Sequence, residues 1–389
     1  MDFDTIIDRR ATNCDKWDNM ERNYGVSPED GLAMWVADTD FAAPKCIQDA
    51  LRRELDRGVF GYYGDPAEYN AAIQWWMGNR HGWKIDPSWI FTVTGLGNGI
   101  GMCLDTYTKP GDGVVLLTPI YHTFARLIRA SGRELVEMPL VNENGRYELD
   151  IDSYDAAMTG DERLMFLCSP HNPGGRVWSK PELQAIAAFA KRHDLILVSD
   201  EIHHDLVYPG MTHIPMSQID GITDRLIMMT AASKTFNIAG LHAGNVIIED
   251  PDLRARFKAR MYALNIGAPS LGLYMVTAAY SPEGGAWVDD LVNYLDGNRT
   301  LFDEGVNAIP GVSSMPLEAT FLSWVDFSGT GMDSAEFTRR VNKDAKIAAN
   351  LGPSFGTGGE DFLRFNLGLP RARIAEAVDR LQKAFSDLQ

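Results

Sequence analysis

The chain of 389 residues exceeds the size at which a single hydrophobic core usually stops growing, so two domains, one of them large, are expected. With 45% hydrophobic and 23% charged residues its composition is that of an ordinary globular protein, which excludes a low-complexity or disordered chain. Lysine and arginine number 36 against 53 acids, and the formal charge of −17 disfavours nucleic acid or anionic membrane as a partner of the whole surface, leaving room only for a local anion pocket.

The first residues, MDFDTIIDRR, carry acids and no apolar core of the signal-peptide kind, and no run of about 18 apolar residues follows, so a cytoplasmic location without membrane contact is expected. Cys14, Cys46, Cys103 and Cys168 are scattered without a CxxC pair; they predict reduced thiols rather than a disulfide framework or a zinc site, and no metal is expected.

From about residue 90 to 250, short apolar runs at 89–93, 114–117, 164–167, 195–198, 226–229 and 245–248 alternate with amphipathic segments. Runs of that length bounded by turn signals suit strands buried on both faces, and the intervening segments suit crossover helices, which predicts a mainly parallel α/β sheet. One helix reads clearly, with Ser179 as cap, Pro181 and Glu182 in the first turn, and Leu183, Ile186, Ala187 and Ala190 on one face. After about residue 285 the texture changes: a helical stretch at 287–309, a break at Pro310-Gly311, a strand-like 321–327 and a helical end at 371–388. The expected domains are therefore 46–285, large, and 286–389, a smaller α+β unit against which residues 1–45 pack.

In open α/β sheets ligands sit beyond the carboxyl ends of the strands. Three runs are followed there by CSPHNPGGR (168–176), SDEIH (199–203) and TAASK (230–234). A lysine amine condenses with an aldehyde and then serves as a mobile base, and an acid beside a pyridine nitrogen keeps that nitrogen protonated. Lys234 and Asp200 suit those roles, while Asn172 and His203 could hold a phenolate oxygen. The glycine loop Gly95-Leu96-Gly97-Asn98-Gly99 opens a helix, where free amides and the positive dipole end suit a phosphate. Taken singly, a lysine is usually solvated, an aspartate after a strand is often a cap, and clustered glycines are usually a turn; joint placement on one rim outweighs those readings. A dinucleotide fingerprint is ruled out by Ile100 and Met102 where GxGxxG needs glycine.

These residues resemble the fold-type I pyridoxal 5'-phosphate (PLP) enzymes, and within them the MalY/PatB-type cystathionine β-lyase branch. The matching segments span almost the whole chain: IIDRRATNCDKWD at the start, MWVADTDF at 34–41, GYY at 61–63, TPIYHTF at 118–124, SPHNPGGR at 169–176, SDEIHHDL at 199–206, ASKTFNIAGL at 232–241 and LRFNLGLPR at 363–371. The resemblance implies that Lys234 carries the cofactor's aldehyde, Asp200 pairs with the ring nitrogen, and Asn172 and His203 contact the phenolate oxygen. It further implies that Tyr121 stacks on the ring and takes part in catalysis, and that Arg364 grips the substrate carboxylate beside Ala37 and His122. The amides of Leu96 and Gly97, with Ser233 or Thr230, would bind the phosphate, and Tyr62 would reach the phosphate of the other subunit in a homodimer with shared sites. Three positions depart from the pattern. Ala231 replaces a common hydroxyl residue, His122 replaces a second tyrosine, and GLGNG replaces a loop with paired valines.

The core residues serve transamination and β-elimination alike. Typical aminotransferases place an arginine eight residues after the lysine, and here that position is His242. The expected reaction is β-elimination of L-cystathionine or a related cysteine conjugate to a thiol, pyruvate and ammonia. An L-amino-acid aminotransferase is the enzyme alternative, and a PLP-binding regulatory protein contacting a transcription factor is a third.

Overall fold

The computed structural model describes residues 2–388. Its central sheet contains β1 (Ile90–Val93), β2 (Gly113–Thr118), β3 (Glu134–Pro139), β4 (Glu162–Cys168), β5 (Ile196–Asp200), β6 (Leu226–Thr230) and β7 (Gly244–Ile247). They lie in the order β1-β7-β6-β5-β4-β2-β3, with β7 antiparallel to both neighbours and every other pairing parallel.

The apolar runs are continuous because both faces of the sheet are covered. Val115, Leu117, Met165, Leu167, Leu197 and Met228 enter one hydrophobic cluster, while Val114, Leu116, Leu164, Phe166, Val198 and Ile227 enter another. Alternate residues of each strand thus feed cores on opposite sides, as strand geometry requires. One strand escapes the apolar-run reading. β3, with sequence ELVEMP, lies at the sheet edge with mostly half-exposed residues, and its run is broken by two glutamates: Glu134 is exposed, and Glu137 accepts from the Thr357 amide at 3.1 Å.

The helix after Ser179 runs over Lys180–Arg192, and the Glu182 carboxylate reaches back to accept from the Ser179 amide at 2.7 Å. Beyond the sheet, the helix Pro282–Asn307 starts five residues before the helical stretch read from the sequence, because Ser281 caps it by accepting from the Gly284 amide. A four-stranded antiparallel sheet follows, comprising β8 (Ser313–Ser314), β9 (Leu322–Asp326), β10 (Asn350–Leu351) and β11 (Phe362–Asn366) in the order β8-β9-β11-β10. The helix Arg371–Ala384 packs on Pro282–Asn307. The amino-terminal segment joins this region through a parallel pairing of Leu32–Ala33 with Ile347–Ala348. No helix among the described residues is long and apolar enough to cross a membrane.

Candidate active site

The parallel strands β4, β5 and β6 end side by side, and the polar residues that follow them meet in one place. Asp200, the last residue of β5, is buried, and its Oδ1 accepts from the Ile202 amide at 3.1 Å. Burial pushes its carboxyl up to about 7. His203, two residues into the next turn, is buried with no hydrogen-bond partner at Nδ1. Burial first, then the charges of Lys234 and Arg364, hold its imidazole well below the usual histidine range, so the ring is neutral near pH 7.

Lys234 lies four residues beyond β6. Its Nζ donates to the Ala37 carbonyl at 2.8 Å, and burial is the main cause that brings its amine down to about 8. The segment bearing Ala37 is held in place by two asparagines that the motif reading did not single out. Asn237 Oδ1 accepts from the Thr39 amide at 3.0 Å and its Nδ2 donates to the Thr39 carbonyl at 2.6 Å; Asn366 Nδ2 donates to the Val36 and Asp38 carbonyls at 2.6 Å each. Asn237 adopts the left-handed region at φ 56°, a conformation asparagine tolerates better than most residues.

Arg364 projects from β11, opposite Trp324 on one side and Asn350 on the other. It is only 2% exposed. Its Nη1 donates to Asn172 Oδ1 at 3.1 Å, its Nη2 donates to the Trp35 carbonyl at 2.8 Å and to Asn350 Oδ1 at 2.5 Å, and its Nε has no partner. Neutral oxygens orient the guanidinium, and among the described residues no carboxylate pairs with it. A buried cation without a counter-ion is costly, and burial brings this one down to about 10. An incoming carboxylate would supply the missing charge.

Tyr121 precedes the helix His122–Ala130, and its ring stands 4.8 Å from that of His122. The His122 ring lies 5.7 Å from Phe355, whose face in turn receives the Arg364 guanidinium at 5.0 Å. Burial, with Arg364 and Arg126, pushes His122 down to about 4, and its Nδ1 has no partner.

At the far side, Gly95 at φ 76° turns the chain into the helix Leu96–Tyr107. The first-turn amides of Leu96 and Gly97 precede any intrahelical acceptor and point out of the positive helix end. Thr230 Oγ1 is buried without a partner, Ser233 is half-buried, and the His242 Nδ1 lies 3.7 Å from where a Cβ on Gly95 would stand. Tyr62 is the expected site residue that the chain does not bring here: its side chain is fully exposed, beside exposed Val59 and Phe60.

The donor set fits PLP. A lysine amine, a buried carboxyl, an unpartnered imidazole nitrogen and an unpartnered threonine hydroxyl beside a helix N-terminus match in turn an aldehyde, a pyridine nitrogen, a phenolate and a phosphate. Sequence reasoning did not find Trp35, Asn350 and Phe355, which orient Arg364; the only signal was the WVAD tract, whose partner strand is over 300 residues away.

The sequence model of the aminotransferase class I and II family matches residues 33–381. Cystathionine beta-lyase PatB of Bacillus subtilis is 37% identical over 99% of this chain and all of its own, and protein MalY of Escherichia coli is 32% identical over 98% of each. The crystal structure of cystalysin from Treponema denticola, which contains a pyridoxal 5'-phosphate cofactor, superposes with a TM-score of 0.94 at 36% identity, covering 100% of this chain and 99% of that one.

Proposed function

The chain belongs to the aminotransferase class I and II family, and from that premise we propose that it is a PLP-dependent carbon–sulfur β-lyase acting on an L-amino acid with sulfur on Cβ, such as L-cystathionine. The products are a thiol, pyruvate and ammonia: the Cα–H and Cβ–S bonds break, the sulfur leaves with a proton, and water releases the nitrogen. The observation that carries the substrate class is Arg364, a buried guanidinium with three neutral acceptors and no acid, ready for an α-carboxylate.

When bound, PLP supplies a protonated pyridine ring that accepts the electrons left on Cα. The chain supplies the rest. Asp200, as a carboxylate, holds the proton on the ring nitrogen, and Asn172 and His203 donate toward the phenolate oxygen. Arg364 fixes the carboxylate and thereby the direction of the Cα–H bond, while Lys234 Nζ takes that proton; an amine brought down to about 8 is partly neutral at physiological pH and can accept it. Tyr121 covers the ring. Leu96, Gly97, Thr230 and Ser233 bind the phosphate, with His242 alongside in the place where aminotransferases carry arginine.

The exposed Val59, Phe60 and Tyr62 support a homodimer in which Tyr62 completes the partner's phosphate site. The deciding experiment incubates the PLP-loaded protein with L-cystathionine and no keto acid. Pyruvate and thiol in equal amounts, absent with Lys234→Ala, are expected. Turnover only with an added keto acid would replace this reading by an aminotransferase.

A further inference from the structure

Three polar residues of the site are each followed in the chain by a buried polar neighbour: Glu201 follows Asp200, His204 follows His203 and Thr235 follows Lys234. A buried acid, Asp205, ties two of these neighbours together. Its Oδ2 accepts from Thr235 Oγ1 at 2.9 Å and lies 3.3 Å from His204 Nε2. Its Oδ1 accepts from Trp76 Nε1 at 2.9 Å and from His81 Nε2 at 2.8 Å, both on the helix Ala67–His81.

The partners settle the charges. An ionised carboxylate only accepts, and four donors around Asp205 occupy its lone-pair directions. Burial opposes that charge, but His204 and His81 outweigh it and hold the carboxyl well below its ordinary range. His204 Nδ1 donates to the Glu201 carbonyl while Nε2 faces Asp205, so both ring nitrogens carry hydrogen. Burial opposes this cation too, and Asp205 outweighs it, so the imidazole is held above its ordinary value. His81, brought down to about 4 by burial and by His204, is neutral and gives Asp205 its one ring hydrogen. Glu201 is fixed in turn: Oε1 accepts from Ser199 Oγ and the Met216 amide at 2.9 Å each, and Oε2 pairs with His213 Nε2 at 2.8 Å. The carboxylate of Asp205 has no position left for a ligand, and a buried polar network satisfied in this way rigidifies what it joins.

We propose that Asp205 is a positioning residue which, acting through His204 and Thr235, sets His203 and Lys234 against one another across the site. The inference rests on the role given above to Lys234. His203 and Lys234 follow different strands, β5 and β6, and among the described residues no hydrogen bond joins their side chains. The link between them runs behind the site: His203, His204 and Asp205 are consecutive, and Asp205 Oδ2 holds Thr235, the neighbour of Lys234. Trp76 and His81 hold the other oxygen from a helix that carries none of the site residues, so the link is anchored independently of them. Proton transfer at Lys234 needs its amine held in a narrow range of positions, and this link supplies that restraint from the interior side.

The test removes one donor to Asp205 at a time from protein saturated with PLP. Thr235→Val keeps the side-chain shape and loses the hydroxyl. It should lower kcat about 10- to 100-fold with little change in KM, on whichever L-amino acid the wild type turns over. It should also shift the pH midpoint of the visible band of the lysine-bound cofactor, read without substrate. Thr235→Ser returns the donor and should restore both. Trp76→Phe removes a donor that leads to no site residue; it should lower Tm while leaving kcat and the midpoint in place. Should Thr235→Val not fold, the same comparison of Thr235→Ala with Thr235→Ser decides. An unmoved midpoint or unchanged kcat in the folded variant lacking the hydroxyl, no recovery in Thr235→Ser, or equal losses in Trp76→Phe would overturn the positioning role. A wild type with no visible band would instead overturn the assignment of Lys234, and this role with it.

Discussion

Arg364→Lys is the substitution that most directly tests how this chain selects its substrate. It keeps a positive charge but loses the planar fork, so a carboxylate held by two parallel N–H donors is left with one. A hydrogen bond to a charged group contributes about 1.5–3 kcal/mol, and leaving buried acceptors short of a donor costs a further ~1–3 kcal/mol; here those acceptors are Asn172 Oδ1, Asn350 Oδ1 and the Trp35 carbonyl. A total of about 3–5 kcal/mol corresponds to a fall of roughly 150- to 5,000-fold in kcat/KM. The assay pairs pyruvate release from L-cystathionine with spectral titration of the holoenzyme by L-methionine and by the amine obtained on decarboxylating it. The amino acid should lose most of its affinity in the variant, and the amine little. Equal losses for both ligands, or a fall in kcat/KM below about tenfold, would show that Arg364 does not read the carboxylate.

Asp200 predicts an unusual pH dependence for the cofactor-stripped protein. Its folded carboxyl is raised from 3.8 to about 7, so at this group the folded state holds more protons than the unfolded chain across that interval, and its contribution to stability falls as pH rises from about 4 to 7, by at most about 4 kcal/mol. Asp303, raised to about 6, adds with the same sign, whereas the buried imidazoles of His122 and His203, held below their ordinary value, act with the opposite sign. The Asp200 share is therefore read as a difference: between pH 5 and 7.5 wild type should lose stability relative to Asp200→Asn in denaturant melts, and parallel curves would refute it. His122, pushed down to about 4, is neutral throughout the working range; His122→Asn should alter KM while leaving the shape of the pH–rate profile between pH 6 and 9 unchanged, and a lost limb in that range would refute the assignment. Finally, mixed dimers of Lys234→Ala and Tyr62→Ala chains should regain activity that neither parent has, because one hybrid site then holds both residues; no recovery on mixing would argue against sites shared between subunits.

How much of this was legible in the sequence follows from how local each signal is. Asp200 and Lys234 stand out because each follows an apolar run that can only be a buried strand, which fixes its side of the sheet without knowledge of the partner strands. Arg364 was visible only within the segment LRFNLGLPR, one of those that carry the resemblance. What surrounds it was not visible, since the Asn350 and Trp35 oxygens reach it through strand register and an amino-terminal loop that no spacing rule encodes. The edge strand β3 was missed because its glutamates break the continuous apolar run on which the reading of buried strands depends.

The placement of the segment around Ala37 carries a consequence for how the site is held. Its carbonyl holds the Lys234 amine, Trp35 holds Arg364, and Asn237 and Asn366 grip the residues between from opposite sides. The Lys234 amine and the Arg364 guanidinium therefore both rest on one strip of main chain that belongs to neither sheet. That strip is tied down through Arg9 and Lys16, the latter wholly buried, whose charges meet Asp38 and Asp40. A buried ion network gains little stability over an apolar one, yet breaking it by removing one partner leaves uncompensated charge and costs several kcal/mol. Under the proposed function its use is positional: it holds the strip on which the Lys234 amine and the Arg364 guanidinium both rest, which gives the IDRR, KWD and WVAD motifs a common physical purpose.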